Sequence, residues 1–230
     1  LEELRWRILK SLGAVVVFAA VAFPFSGLLL DLLTLPNDRL AAPAKLIFLK
    51  PTGMLMVRVE VAIAMGLIFG LPVILYQAWA FVAPGLLPKE QKVILPTLFF
   101  TTFCFLVGSA FAYFLMVPVI LPFLFSMGTE TIEATINITE YMSFVLRLIL
   151  ISGLIFELPV LSFFLARIGL LNPGLLRKYR RYGIVAVFIV AAVITPPDPL
   201  SQIMMAIPLI VLYEVSILVT VLGAKKKKAS

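Results

Sequence analysis

Residues 71–96 read LPVILYQAWAFVAPGLLPKEQKVILP, and this stretch predicts how the rest of the chain is arranged. One apolar segment ends, a turn containing Pro84, Gly85 and Pro88 follows, and a second apolar segment begins. A continuous helix is excluded because proline lacks the backbone donor and glycine is costly inside a helix. The stretch therefore predicts two helices that meet in a short polar link.

The polar and aromatic residues of this stretch are expected at a membrane surface. Gln77, Trp79 and Phe81 stand where the first apolar run ends, and amphipathic rings collect at that depth in membrane proteins. In the polar link that follows, Glu90 is flanked by lysines. A carboxylate in such a position is suited to a cationic ligand, because charged partners form the strong hydrogen bonds.

The composition indicates a polytopic membrane protein. Of the 230 residues 62% are hydrophobic and 13% are charged, with a mean hydropathy of +1.13, whereas soluble domains are about 45–50% apolar. Histidine is absent and Cys104 is the single cysteine, so an internal disulfide and the usual metal clusters are excluded. We therefore predict no cofactor and no enzymatic activity. Basic membrane-protein loops explain the net charge of +7 better than nucleic-acid binding does.

The hydropathy pattern predicts one all-α membrane domain over residues 1–230, with about six transmembrane helices and with short fifth and sixth spans. We place the spans at residues 6–26, 54–82, 93–117, 140–166, 181–195 and 201–222. The first is too long for a cleavable signal peptide and has no clear small-residue cleavage site. The fifth has an apolar run so short that two arrangements are open, a span through thinned bilayer or a re-entrant segment.

The basic residues predict the orientation of the chain. Lysines and arginines concentrate near both termini and in the links around residues 89–92 and 167–181, and such loops face the cytoplasm. Both termini are therefore expected in the cytoplasm, and the protein in a bacterial inner (plasma) membrane. The predicted extracytoplasmic segments are 27–53, with short interfacial helices, 118–139 and 196–200.

Four motifs resemble the TatC family, the receptor subunits of the twin-arginine protein translocase. They are LEELRWR at residues 1–7, LPVILYQAWAFVAP at 71–84 with the following Glu90, FELP at 156–159 and TPPD at 195–198. The resemblance implies a receptor and scaffold that binds twin-arginine signal peptides of folded cargo. It also implies docking of single-span TatA and TatB proteins, a homo-oligomer in the assembled complex, contact with membrane lipids, transport driven by the proton gradient, and family residues upstream of Leu1.

The resemblance assigns signal-peptide binding to Glu3 and Glu90, with Arg5 as a further candidate. Phe81, Pro84 and the interior around Glu157 are expected to shelter the apolar part of the peptide. Taken alone, Glu3 has a structural alternative, because acidic residues favour a helix N-terminus and Arg7 lies one turn further on. Glu90 has the same alternative in the first turn of the next helix. Two carboxylates at one membrane face would select Arg-Arg over Lys-Lys, since only guanidinium forms bidentate hydrogen bonds with them.

Among the polar residues within the predicted spans, the intramembrane candidates are Gln77, Glu157 and Glu214. Glu157 lies about 15 Å along its helix from Arg167, where a carboxylate is costly and is a functional candidate by default. The resemblance places it beside a cavity that opens to the membrane; the alternative is a structural hydrogen bond to a neighbouring helix. Together, Glu157 and Glu214 raise a second hypothesis, a proton-coupled small-molecule transporter with a carboxylate relay.

Asp198 and Gln202 follow the double proline and resemble the last extracytoplasmic turn of the family, which is associated with transport. A helix-capping role for Asp198 is also open. Elsewhere, Glu60 and Arg147 are predicted to form an ion pair between helices. An intramembrane enzyme is disfavoured because the spans contain neither histidine nor paired aspartates.

Overall fold

A computed structural model describes residues 2–40, 43–85, 91, 94–126, 135–195 and 198–228. Its helices are α1 Glu2–Ala22, α2 Ser26–Asp38, α3 Gly53–Val82, α4 Ile94–Phe111, α5 Val117–Ser126, α6 Ile138–Phe156, α7 Leu158–Arg167, α8 Pro173–Lys178, α9 Arg180–Ile194 and α10 Pro199–Lys228. Short 3-10 turns at Phe23–Phe25 and Ala83–Gly85 and a π-helical turn at Ala112–Met116 extend these helices. Two strands, β1 Lys45–Ile47 and β2 Thr135–Asn137, complete the described part.

Within the described residues, five stretches are long and apolar enough to cross a membrane. They are Glu2–Asp38, Gly53–Gly85, Leu95–Ser126, Ile138–Arg167 and Pro199–Ala224. The predicted fifth span corresponds to α9, whose 15 residues reach about 22 Å and fall short of the roughly 20 residues that a span needs. The all-α polytopic architecture agrees with the sequence, while the predicted span boundaries stay predictions.

The last helix is longer than expected, with 30 residues in α10. Asp198 caps its start, with the side-chain Oδ1 accepting the backbone N–H of Ser201 at 2.7 Å. Pro199 occupies the first helical position, where the missing donor has no cost. Pro208 lies inside α10 without ending it.

Helices α1 and α3 run antiparallel and approach each other closely. A Cβ at Gly66 would lie 2.6 Å from the carbonyl oxygen of Val15 and 2.8 Å from the Cβ of Ala19, so only glycine fits there. A Cβ at Gly70 would meet Val15 at an ordinary 3.4 Å. This glycine pair has the G-x-x-x-G spacing that lets membrane helices pack backbone to backbone.

The core is built around α6 at the end of the bundle opposite Glu3. Its buried side chains come mainly from α6, together with residues of α2, α3, α5, α9 and α10. By contrast, Ala22 is the one buried residue of α1. The half of the bundle near Glu3 is therefore the more open half.

Two tyrosines hold α2 against the bundle by donating to its backbone. Pro36 lies inside α2 and has no N–H, so the carbonyl of Leu32 loses its usual donor. The hydroxyl of Tyr113 donates to that oxygen at 2.6 Å, and the hydroxyl of Tyr141 donates to the oxygen of Leu33 at 3.0 Å. The π-helical turn Ala112–Met116 carries Tyr113.

The segment after α2 differs from the expectation of interfacial helices alone. Strands β1 and β2 pair in parallel, with Leu46 opposite Ile136. The buried amide of Asn37 donates to the carbonyl of Ala44 and accepts its N–H, each at 3.1 Å. The pairing of β1 with β2 brings together segments about 90 residues apart in the chain. Helical periodicity in the sequence does not reveal such a contact.

We predict that Gly66→Ala destabilises the protein by about 1–3 kcal/mol, because the new methyl group forces α1 and α3 apart. Gly70→Ala is the matched control and should change stability by less than about 1 kcal/mol, since its methyl group fits. Unfolding followed by circular dichroism in mixed detergent and dodecyl sulfate measures both. Equal effects of the two substitutions would contradict the close approach at Gly66.

We also predict that Tyr113→Phe lowers the free energy of unfolding by about 1 kcal/mol, because the carbonyl of Leu32 then lacks any donor. The same unfolding measurement tests it, with Tyr76→Phe as the control. Tyr76 is exposed on α3, and none of the hydrogen bonds described for this chain involves its hydroxyl. An equally large loss of unfolding free energy in Tyr76→Phe would contradict the stabilising role of the Tyr113 hydroxyl.

Candidate functional site

An apolar groove of about 500 Å³ runs between α1 and α3 in the open half of the bundle. It is lined by Leu4, Arg7, Ile8, Ser11, Leu12 and Val15 of α1, and by Leu67, Ile74, Gln77, Ala78, Phe81 and Val82 of α3. The α1 residues recur at helical spacing on one face. Sequence reasoning missed this stripe, although its spacing was visible.

Arg7 of the groove lining forms an ion pair with Glu3, which lies one turn earlier on α1 and just outside that lining. The Oε1 of Glu3 accepts from the Nη2 of Arg7 at 2.6 Å and from its Nε at 3.2 Å. The Glu3 side chain is 60% exposed, and that of Arg7 is 22% exposed. The structural alternative for Glu3 is therefore formed, and its carboxylate is at the same time open to solvent.

The structure brings together some of the other predicted binding residues and not all of them. Gln77 and Phe81 line the groove beside Arg7, and Pro84 is exposed in the turn that follows α3. Arg5 is exposed but lies outside the groove lining. Glu90 lies outside the described residues.

Trp79, expected at the membrane surface, is buried against a neighbouring helix. It is 7% exposed, and its ring meets that of Phe164 edge-on, with centroids 4.2 Å apart. Phe164 belongs to α7, so Trp79 fixes the end of α3 against a helix distant in sequence. Packing against α7 covers the indole ring, and the interfacial depth of Trp79 stays a prediction.

Glu157 is buried at a break in a long apolar helix. Pro159 cannot donate to the carbonyl of Ile155, and α6 ends at Phe156 before α7 begins at Leu158. Glu157 is 4% exposed, and within the described part of the chain neither carboxylate oxygen has a hydrogen-bond partner. The structural alternative, a hydrogen bond to a neighbouring helix, is not formed among these residues.

Comparison with known proteins agrees with these features. The family model of Sec-independent protein translocase protein (TatC) matches residues 1–208. The chain belongs to the TatC family. The TatC of Helicobacter pylori (strain ATCC 700392 / 26695) is 42% identical over 219 residues, which cover 95% of this chain and 85% of that protein. The TatC of Aquifex aeolicus (strain VF5) is 37% identical over 230 residues, covering 99% and 95% of the two chains.

A solved structure supports the same assignment. The crystal structure of the twin arginine translocase receptor TatC superposes with a TM-score of 0.89 at 36% identity, covering 96% of this chain and 98% of that one. The resemblance and the all-α membrane fold predicted from the sequence are thereby confirmed. The protein is a Sec-independent protein translocase component with several membrane-spanning helices.

Glu214 differs from Glu157 in having an ionic partner. The Nε of Arg180 lies 2.5 Å from the Oε1 of Glu214, and their side chains are 56% and 36% exposed. This pair joins the start of α9 to α10. The transporter hypothesis needed two buried carboxylates in a relay, so the pair and the TatC family assignment together remove its support.

Asp198 and Gln202 have structural contacts at the start of α10. Asp198 is the cap already described, and the Nε2 of Gln202 donates to the carbonyl of Phe188 in α9 at 3.0 Å. The capping alternative is thus formed for Asp198. Gln202 ties α10 to the short helix α9.

The predicted ion pair between Glu60 and Arg147 is wrong. The Oε1 of Glu60 accepts from the hydroxyl of Ser143 at 2.7 Å. The ion pairs found within the described residues are those of Arg7 with Glu3 and of Arg180 with Glu214. A serine satisfies Glu60, and Arg147 is left exposed on α6.

We predict that Glu157→Leu raises the free energy of unfolding by about 1–3 kcal/mol, because it removes a buried polar group without described partners. Glu157→Gln keeps a polar group there and should change stability less. Thermal unfolding in detergent measures both variants. A large destabilisation by Glu157→Leu would show that the carboxylate has structural partners.

Proposed function

We propose that this chain is the receptor and scaffold of a twin-arginine export system, with the α1–α3 groove as the signal-peptide site. The observation that carries the proposal is the juxtaposition of an exposed carboxylate, Glu3, with an elongated apolar groove. A twin-arginine signal peptide has the complementary order, a cationic pair followed by an apolar stretch. The solved relative is itself described as the translocase receptor.

The ion pair of Glu3 supports an exchange of partners. Exposed pairs spaced i, i+4 on a helix contribute only about 0.3–0.5 kcal/mol, so releasing Arg7 from Glu3 costs little. An incoming guanidinium can therefore displace Arg7 at small cost. In this proposal Glu90 supplies the second carboxylate, and Pro84 and Arg5 flank the entering peptide.

The apolar part of the peptide then lies along the groove. Gln77 is the polar side chain halfway along the α3 wall, and it offers hydrogen bonds to the peptide backbone. Phe81 lines the groove near the end of α3 and is 44% exposed before binding. In the proposal, Glu157 acts at a later stage of transport, which is driven by the proton gradient.

Single-span partners of the TatA and TatB type are proposed to dock on α9. Val185, Ile189 and Val193 form an apolar stripe on that helix, with 57%, 61% and 65% exposure. Their spacing of four residues places them on one face. Gln202 holds α10 against α9 beside that stripe, Asp198 caps the start of α10, and further copies of the chain complete the assembly.

The proposed orientation puts the Glu3 end of the bundle in the cytoplasm, as the distribution of basic residues predicts. A twin-arginine peptide on newly made cargo then meets the groove directly. The protein is proposed to lie in a bacterial inner membrane, with both termini cytoplasmic.

We predict that the purified chain in detergent binds a labelled twin-arginine peptide at least about tenfold more tightly than a Lys-Lys peptide. Glu3→Ala and Glu90→Ala should each abolish that preference, because the bidentate acceptor is lost. Fluorescence anisotropy measures the affinities. Glu2→Ala is the matched control, since Glu2 is an exposed acid in the same helical turn.

Arg7→Gln sharpens this test. It removes the guanidinium that competes for Glu3 and should therefore strengthen binding about twofold, in line with the small energy of the exposed pair. Peptide affinity indifferent to the Lys-Lys change and to both glutamate substitutions would reject the proposed site.

A further inference from the structure

A polar cavity of about 350 Å³ lies at the end of the bundle opposite the Glu3 groove. It is formed between α6 and the last turn of α9, and its lining is Thr139, Glu140, Ser143, Phe144, Arg147, Val193, Ile194 and Thr195. Its size lies within the range of about 300–1,000 Å³ typical of small-ligand sites. The proposed function uses none of its charged residues.

One stripe of α6 carries three kinds of side chain in a fixed order. Glu140, Arg147 and Leu154 are seven residues apart and therefore share one face, with about 20° of drift per step. Each step is about 10 Å along the helix axis. All three are exposed, so from the helix start inward the face presents an acid, a cation and an apolar group.

Arg147 is available to a ligand in this cavity. Its predicted partner Glu60 is bonded to Ser143, and the ion pairs formed by described residues do not include Arg147. An arginine this far along an apolar helix is costly unless it meets an anion or polar groups. Its planar guanidinium is the side chain best matched to phosphate oxygens.

The surroundings of the cavity favour a lipid over a soluble anion. Val193 at its rim is 65% exposed, and Ile189 one turn below on α9 is 61% exposed. With Leu154, which is 55% exposed, they continue the polar cavity as an apolar surface. A ligand that fits both parts has a polar head and an acyl chain.

The shortness of α9 explains why the cavity forms at this depth. Its 15 residues end at Ile194, about 22 Å from their start. Ile194 and Thr195 line the cavity together with Thr139 and Glu140 in the first turn of α6, so the cavity lies where α9 ends beside the start of α6. Lipid headgroups follow a short span by local thinning of the bilayer.

We propose that this cavity binds the headgroup of a zwitterionic aminophospholipid, with the phosphate at Arg147, the ammonium at Glu140 and an acyl chain along Leu154. The order of charges on the stripe matches the order of amine, phosphate and chain in such a lipid. The site lies in the leaflet opposite the Glu3 end and does not depend on signal-peptide binding.

Native mass spectrometry of the full chain in detergent tests the proposal, with phosphatidylethanolamine and phosphatidylglycerol as the probes. We expect wild type to retain phosphatidylethanolamine, and Arg147→Gln to weaken its retention about tenfold. Arg147→Lys should recover part of it, because the charge remains. Glu140→Gln should remove the preference for phosphatidylethanolamine over phosphatidylglycerol, since only the former carries an amine.

Arg58→Gln is the matched control. Arg58 is an exposed arginine near the start of α3, at the same end of the bundle as the cavity, but it is not part of the cavity lining. Its retention of lipid should equal that of wild type, and thermal unfolding should be unchanged in every variant. Unchanged retention of phosphatidylethanolamine by Arg147→Gln would overturn the proposal. Arg147 would then be expected to pair with a carboxylate of a partner protein. Equal losses in Arg58→Gln, or displacement of the lipid by excess inorganic phosphate, would also overturn it.

Discussion

In a lipid environment, a backbone carbonyl that loses its helical donor has no water to replace that donor. This chain places prolines inside its apolar helices, and side chains from other helices supply the missing or additional donors. The hydroxyl of Tyr113 donates to the carbonyl of Leu32, which lacks a helical donor because of Pro36. The side chain of Gln202 donates to the carbonyl of Phe188. Such bonds contribute little each, but they fix α2 and α9 where hydrophobic burial alone would not.

The groove between α1 and α3 lies at the end of the bundle opposite the core around α6. Glycine brings α1 against α3 at Gly66, and towards Phe81 the same two helices line the groove. Because α1 has few further neighbours, its inner face is left open. The same chain therefore combines a tightly packed end, which holds the core around α6, with an open end suited to an elongated apolar ligand.

Charges are placed according to their surroundings. Glu3 and Glu214 are partly exposed and form ion pairs that exchange at small cost, whereas Glu157 is buried at a helix break without described partners. Arg147 is exposed beside a polar cavity. Glu157 and Glu214, which the transporter hypothesis joined in a relay, thus differ in environment. Glu214 belongs to a structural ion pair, and Glu157 is the candidate for a role in transport.

The sequence by itself determined the membrane class, the end of α3 before Pro84, the family, and the candidate status of Glu3 and Glu157. These depend on composition, proline positions and local motifs, which act within a few residues. Only the tertiary structure decided that Trp79 is buried against Phe164, that Ser143 takes Glu60 from Arg147, that β1 pairs with β2, and that α1 and α3 enclose a groove. Those outcomes depend on the rotation and relative depth of helices distant in sequence, and no periodicity within a single helix encodes them.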